Sequence, residues 1–234
     1  AKKHKIFVIE DAAQAIGASY TGKPQGTIGD MGAFSFHETK NVSTGEGGAF
    51  VTNNDECATR AEIIREKGTN RKSFSRGEID HYNWVDLGSS YLLSEFSAAI
   101  LSAQLDELNK IQQKRIALWN RYQSNLGSLA SEGKIGVPVI PDRAMSNGHL
   151  YYIMCNSLDE RTALMKHLAK NGIDAVFHYM SLHRSPYFEK QHDGRQLPNS
   201  DRFMNCLLRL PMYFDLEMAD VDRVCDAVSR FYKR

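Results

Sequence analysis

Excess charge of one sign is what this sequence has least of. Its 29 Lys and Arg against 28 Asp and Glu leave a net charge of +1. That balance gives no electrostatic footprint for nucleic acid, and no block of like charge reads as a tail. Cysteine is also scarce. Cys57, Cys155, Cys206 and Cys225 are widely spaced, with no Cys-x-x-Cys pair, so neither a disulfide framework nor a zinc site is expected. They read as small buried hydrophobes in a reducing compartment. No apolar run approaches the ~18 residues of a membrane-spanning helix, and no signal peptide is present, so the expected location is the cytoplasm. Internal repeats and low-complexity segments are absent too. An initiator methionine is also lacking: Ala1-Lys2-Lys3-His4-Lys5 leads straight into an apolar run at residues 6–9. That run reads as a buried parallel strand, and the chain reads as starting inside a domain.

What is present is alternating α/β texture with 42% hydrophobic residues, enough for one large domain or two small ones. Further strand-like runs cover residues 33–36 and 49–52, separated by Gly and Asp/Asn clusters. A helix is expected over 56–67 with Gly68 as its C-cap. Residues 69–91 are polar and aromatic without a clean period and read as a long loop. Ser94 is a plausible N-cap for one long helical region reaching about residue 126, striped by Leu101, Leu105, Leu108 and Ile111. A domain boundary is expected near 105–115, and the Gly-, Ser- and Pro-rich stretch 127–148 reads as a connection. Strands at 150–154 and 175–179 flank an amphipathic helix at 160–171, a β-α-β pattern that suggests a small α/β domain. A short helix at 203–208 and a last helix striped by Val221, Val224, Val228 and Phe231 complete the chain.

Three chemically distinct groups fall beside these strands. Asp11 ends the first apolar run, where α/β sheets place their ligand sites. Ser35 sits between Phe34 and Phe36, and strand alternation turns its hydroxyl away from both rings. Lys40 follows within five residues, ahead of the turn Gly45-Glu46-Gly47-Gly48. A carboxylate for a pyridinium nitrogen, a hydroxyl for a phosphate and a lysine for a Schiff base are the parts that hold pyridoxal phosphate. Gln14 could reach the ring, and His37 could support the pocket. Taken singly, each has an ordinary reading: a solvated acid, a core serine, a surface lysine. Their order and spacing set them apart.

The segments Glu10-Asp11-Ala12-Ala13-Gln14, Gly26-Thr27-Ile28-Gly29, Phe34-Ser35-Phe36-His37-Glu38-Thr39-Lys40-Asn41 and Gly45-Glu46-Gly47-Gly48 resemble the DegT/DnrJ/EryC1/StrS family of sugar aminotransferases. The resemblance runs on through Glu66-Lys67-Gly68-Thr69-Asn70-Arg71, Gly88-Ser89-Ser90-Tyr91 and His178-Tyr179-Met180-Ser181-Leu182-His183, and so covers nearly the whole chain. It implies an α/β, fold type I, aspartate-aminotransferase-like structure. Residues 1–110 would form the second half of the cofactor-binding large domain and 111–234 the small C-terminal domain. A preceding portion of the family fold, which supplies a phosphate-binding helix and part of the ring-stacking wall, is not matched. The chain alone is therefore expected to bind the cofactor poorly and to be inactive.

The resemblance also implies roles. Lys40 would be the Schiff-base lysine, Asp11 the partner of the pyridine nitrogen, Gln14 a ring contact and Ser35 a phosphate ligand. A residue near Ser90 would reach the phosphate of the neighbouring subunit in a homodimer with interfacial active sites. Many members carry Asn there with an Arg nearby, whereas this sequence has Ser90 and Leu92. Lys67, Asn70, His178, Tyr179 and His183 would face the sugar nucleotide. The implied reaction moves an amino group from glutamate to a 4-keto-6-deoxy sugar nucleotide of the dTDP type, in the biosynthesis of enterobacterial common antigen. A sugar 3-dehydratase of the same superfamily is the nearest alternative, but such enzymes carry histidine in place of the lysine. A non-catalytic sugar-nucleotide-binding module is the other. The two histidines of the 178–183 segment are not at a metal-binding spacing, and no metal is expected.

Overall fold

The computed structural model describes residues 1–233. The chain divides into two compact units, Ala1–Gln112 with Asp142–Asn147, and Gln113–Pro141 with the chain from Gly148 onward.

The first unit is built on a three-stranded sheet in the order β1-β4-β5. Strand β1 (Ile9–Asp11) lies parallel to β4 (Met31–Ser35), and β5 (Gly48–Thr52) returns antiparallel to β4. Between β1 and β4, a two-residue hairpin of β2 (Ser19–Tyr20) and β3 (Lys23–Pro24) pairs with β6 (Ala144–Met145), which comes from far along the chain. Helix α1 (Asp55–Arg65) starts on Asn54, whose side chain accepts the Cys57 amide at 2.9 Å. This satisfies one of the helix's free N-terminal donors. The short helix α2 (Arg71–Ser75) and α3 (Glu95–Asp106) follow, and α3 is capped by Ser94 accepting the Ser97 amide at 3.2 Å.

Several sequence expectations change here. The first strand begins at Ile9, not residue 6, and its apolar run is not buried: Ile6, Phe7 and Ile9 are 62%, 68% and 69% exposed. Apolar composition reports a preference for burial, and nothing among the described residues covers these side chains. The expected single helix from 94 to 126 is two. It breaks at Glu107, and α4 (Leu108–Ser131) then runs past 127 into the stretch expected to be a connection. Residues 69–91 are not a featureless loop. They hold α2 and two isolated bridges, Glu66 to Ser90 and Thr69 to Trp84.

The second unit packs helices on an antiparallel sheet ordered β7-β9-β8. Its elements are most of α4, β7 (Tyr151–Met154), α5 (Leu158–Lys170), β8 (Val176–Phe177), α6 (Pro198–Cys206), β9 (Leu207–Leu210) and α7 (Met218–Tyr232). The expected helix at 203–208 ends at Cys206, and Leu207-Leu208-Arg209-Leu210 form the central strand instead. Leu207 takes extended angles (ψ 132°), which stop the helix. The 175–179 strand shortens to two residues. Leu118, Tyr122 and Leu126 of α4 meet Ile153, Leu164, Leu208, Val224 and Val228 in one core. Tyr122 stacks on Tyr151 with ring centroids 4.9 Å apart, and each hydroxyl keeps a partner, Pro211 O and Gln123 Oε1 respectively, both at 2.8 Å. Arg115 is buried without a carboxylate. It donates to the carbonyls of Gly148 (3.1 Å), His149 (2.5 Å) and Met212 (3.4 Å), and burial pushes its pKa down to about 10. All four cysteines are free, and three are buried. Burial pushes the Cys155 thiol up to about 11 and the Cys225 thiol up to about 12, so both stay protonated and inert at neutral pH.

Candidate cofactor site at the ends of the parallel strands

Because β1 and β4 run parallel in the register Asp11 to Ala33, their C-terminal ends lie side by side. Asp11 is the last residue of β1 and Ser35 the last of β4. Asp11 is exposed, and its Oδ1 accepts the Ala13 amide at 3.1 Å, which turns the chain directly after the strand. The Ser35 Oγ accepts the His37 amide at 3.2 Å, leaving its own proton to donate outward.

The connection from β4 to β5 carries Lys40. Its base is zipped by Phe36 N to Gly47 O (2.8 Å), Glu38 N to Gly45 O (2.9 Å) and Thr44 N to Phe36 O (2.8 Å). Lys40 is half-buried, and its amide donates to His37 O at 2.9 Å. The His37 ring contacts Thr39 Oγ1 at 3.0 Å and Glu46 at 3.7 Å, so it braces this loop. Gln14 lies exposed in the turn after Asp11.

Lys67, Asn70 and Ser90 sit together in the 66–91 region. Gly68 and Gly88 cross so closely that a Cβ on Gly88 would come within 2.2 Å of the Gly68 nitrogen. The Lys67 amide donates to Ser89 O at 3.0 Å, and Lys67 itself is left-handed (φ 64°), a rare state for a side-chain-bearing residue. The Asn70 side chain accepts the Asn83 amide at 2.7 Å, so its oxygen serves the loop. Ser90 is exposed.

His178, Tyr179 and His183 belong to the second unit. His178 is half-buried, and burial together with Arg209 pushes its pKa down, which keeps it neutral near pH 7. Tyr179 is exposed and lies 5.0 Å ring to ring from His178. His183 bonds Asp201 at 3.0 Å. Arg184 grips the same carboxylate through two bonds of 2.7 and 2.8 Å, an arrangement that anchors the segment to α6.

Sequence reasoning missed Glu10. Its two carboxylate oxygens accept the amides of Gly26, Ile28 and Gly29 at 2.6–2.7 Å. Both segments stand out as motifs, and the link is readable in hindsight: a Gly-Thr-Ile-Gly turn exposes amides that need an acceptor. Burial opposes the Glu10 charge, but the three amides outweigh it and hold its carboxyl below the usual range. A depressed folded pKa stabilises the fold above the unfolded value near ~4.3 and is lost as pH falls through the folded value. Glu10→Gln should therefore lower stability by about 1–2 kcal/mol at pH 7. The gap from wild type should narrow as the pH is taken down below that unfolded value and through the lower folded one. Melting temperatures of both proteins across that range measure it, and a gap independent of pH would contradict this role.

A carboxylate, a hydroxyl and a half-buried amine, the first two at adjacent strand ends and the third in the loop that follows, match in kind the donor set for a phosphorylated pyridine aldehyde.

Comparison with known proteins bears on this set. The model of the DegT/DnrJ/EryC1/StrS aminotransferase family matches residues 1–229. A dTDP-3-amino-3,4,6-trideoxy-alpha-D-glucose transaminase from Streptomyces venezuelae is 34% identical over the whole chain, which covers 59% of that protein. Among solved structures, S. venezuelae DesV superposes with a TM-score of 0.88 at 33% identity, over all of this chain and 60% of that one. A putative sugar aminotransferase from Streptococcus pneumoniae in its PLP form gives 0.84 at 25% identity, over 97% of this chain and 58% of that one. The chain thus spans about three fifths of the length of these relatives, matching their C-terminal part.

Proposed function

The chain belongs to the DegT/DnrJ/EryC1/StrS aminotransferase family, and we propose that Lys40, Asp11 and Ser35 form the pyridoxal-phosphate site of an enzyme that aminates a keto sugar nucleotide. The observation that carries this is the placement of Asp11 and Ser35 as the last residues of two neighbouring parallel strands, with Lys40 in the loop Ser35 leads into. When bound, the cofactor supplies an electron sink for the carbon that loses or gains the proton. Asp11 keeps a proton on the ring nitrogen. Ser35 donates its hydroxyl to a phosphate oxygen while its lone pair holds His37 N. The Lys40 amine would hold the cofactor at its aldehyde and, when released from it, would carry the proton at the amino donor's α-carbon. Gln14 would contact the ring. Ser90, in a homodimer, reaches toward the partner's phosphate, and Lys67, Asn70, His178 and Tyr179 contact the sugar nucleotide. His183 acts there by holding its segment to Asp201.

The donor is glutamate, and the acceptor is dTDP-4-keto-6-deoxyglucose. The product is the 4-amino sugar of a dTDP-4-amino-4,6-dideoxygalactose transaminase, which serves enterobacterial common antigen. The motif strings of residues 10–14, 34–41 and 66–71 support the sugar aminotransferase family, and the choice of member follows the resemblance of the sequence as a whole. A lysine at position 40 disfavours a 3-dehydratase. The test is an assay of the whole protein with glutamate and a panel of 3-keto and 4-keto sugars on dTDP and UDP. Glutamate consumption with the 4-keto dTDP sugar and a C4 amine by NMR is expected. A C3 amine would reassign the position. A deoxygenated product would identify a dehydratase, and binding without turnover a non-catalytic module.

A further inference from the structure

Pyridoxal phosphate is a rigid ring, so the groups at its nitrogen and at its aldehyde must be held a fixed distance apart. Asp11 and Lys40 leave the sheet on separate loops. The β1–β4 ladder ends with Ala12 N to Ala33 O at 3.0 Å, and no backbone–backbone hydrogen bond joins residues 13–16 to residues 37–40 among the described residues. A third segment, more than 100 positions away in sequence, makes the link.

We propose that Asn147 is a positioning residue that clamps these two loops in register. This rests on the assignment of Lys40 and Asp11 given above. The Asn147 Nδ2 donates to Gln14 O at 2.7 Å and to Ile16 O at 3.0 Å. Its backbone carbonyl accepts Asn41 Nδ2 at 3.0 Å, and Asn41 directly follows Lys40. Both asparagines are more than nine-tenths buried. Asn147 is fixed in turn by β6, which pairs Ala144 with Tyr20 and Met145 with Ser19, and by Thr21 N to Arg143 O at 2.7 Å. Gln112 Nε2 adds a second donor to Ile16 O at 2.6 Å. Buried amide bonds of this kind hold a backbone more sharply than exposed ones, because no water can replace them.

The test uses the whole protein with Asn147→Ala, Asn41→Ala and the double variant. In cofactor-free protein, each single variant should speed amide exchange at residues 13–16 and 37–41. In the loaded enzyme, kcat should fall about 10- to 100-fold, the cost of a displacement near 1 Å. The KM for glutamate should stay within about twofold, because the clamp sets geometry rather than donor binding. The pH midpoint of the bound cofactor's visible band should move by about half a unit or more as Asp11 and Lys40 shift. The double variant should be no worse than the more severe single, since both break one link. Unchanged kcat and midpoint with only a lower melting temperature would overturn the clamp. So would additive effects in the double variant, or failure of both single variants to fold. A wild-type protein with no band removed by Lys40→Ala would instead refute the cofactor assignment itself.

Discussion

Lys40→Ala in the whole protein is expected to lose glutamate-dependent amination by about 10⁴-fold or more. In the proposed site the residue would serve twice, as the amine that attaches the cofactor and as the group that carries the proton. Removing a general base alone costs about 10²–10⁴-fold, and loss of the attachment adds to it. Arginine should not rescue it, because a guanidinium neither attaches to an aldehyde nor gives up its proton near neutral pH. The fold should tolerate the change. Lys40 is held by its backbone, through its amide to His37 O at 2.9 Å, and among the described residues no side-chain hydrogen bond or ion pair depends on its amine. The melting temperature should therefore stay close to wild type while 2-oxoglutarate formation vanishes. Retention of more than a few per cent of activity in a folded variant would falsify the assignment.

The largest structural effect is expected at Gly68. Its φ of +75° suits glycine, and a Cβ there would lie 1.9 Å from Asp86 O and 2.8 Å from the Asp86 carbonyl carbon. Those are backbone atoms, which no rotamer change can move. Gly68 O also accepts the amides of Val85 (2.8 Å) and Asp86 (3.1 Å), so displacing it breaks the crossing that ties 66–70 to 83–91. Gly68→Ala should cost about 3 kcal/mol or more, from left-handed strain of about 1–2 kcal/mol plus two lost hydrogen bonds. Gly77 isolates the first part. Its φ is similar at +72°, but nothing lies within 4 Å of an added Cβ, so Gly77→Ala should cost only about 1–2 kcal/mol. Urea denaturation compares the two variants. Limited proteolysis should nick the 70–90 stretch in Gly68→Ala alone. Equal costs would show that the backbone gives way and that the crossing is soft.

The parts of this molecule that can be read from sequence are those whose cause is local. Ser94 bonds an amide three residues ahead and precedes an apolar stripe, so that helix start is visible without coordinates, while Asn54 and Ser157 make the same bond at starts the sequence places one or two residues late. Asp11, Ser35 and Lys40 stand out because strand ends and a glycine turn bracket them. What is hidden depends on partners far along the chain. Leu207–Leu210 look like a continuation of α6, and only pairing with both β7 and β8 makes them a strand. Residues 6–9 look like core because apolarity does not say whether a cover exists. Asn41 and Asn147 look like loop residues, and their burial against each other spans 106 positions. Glu10 is hidden differently. It sits inside a recognisable motif, but its work is done on a turn 16 to 19 residues later.

The return of residues 142–147 to the first unit also orders events in time. Strand β6 meets β2 across more than 120 residues, and the closing of so long a loop is slow relative to local helix formation. On a ribosome, β1, β4 and β5 emerge early, yet the loops bearing Gln14 and Asn41 cannot gain their Asn147 bonds until that residue is out. By then most of α4 has been made and can coil on its own. The loops bearing Gln14 and Asn41 thus complete their hydrogen bonding only once residue 147 has been made. A nascent chain paused before position 147 would present the proposed cofactor site unlatched.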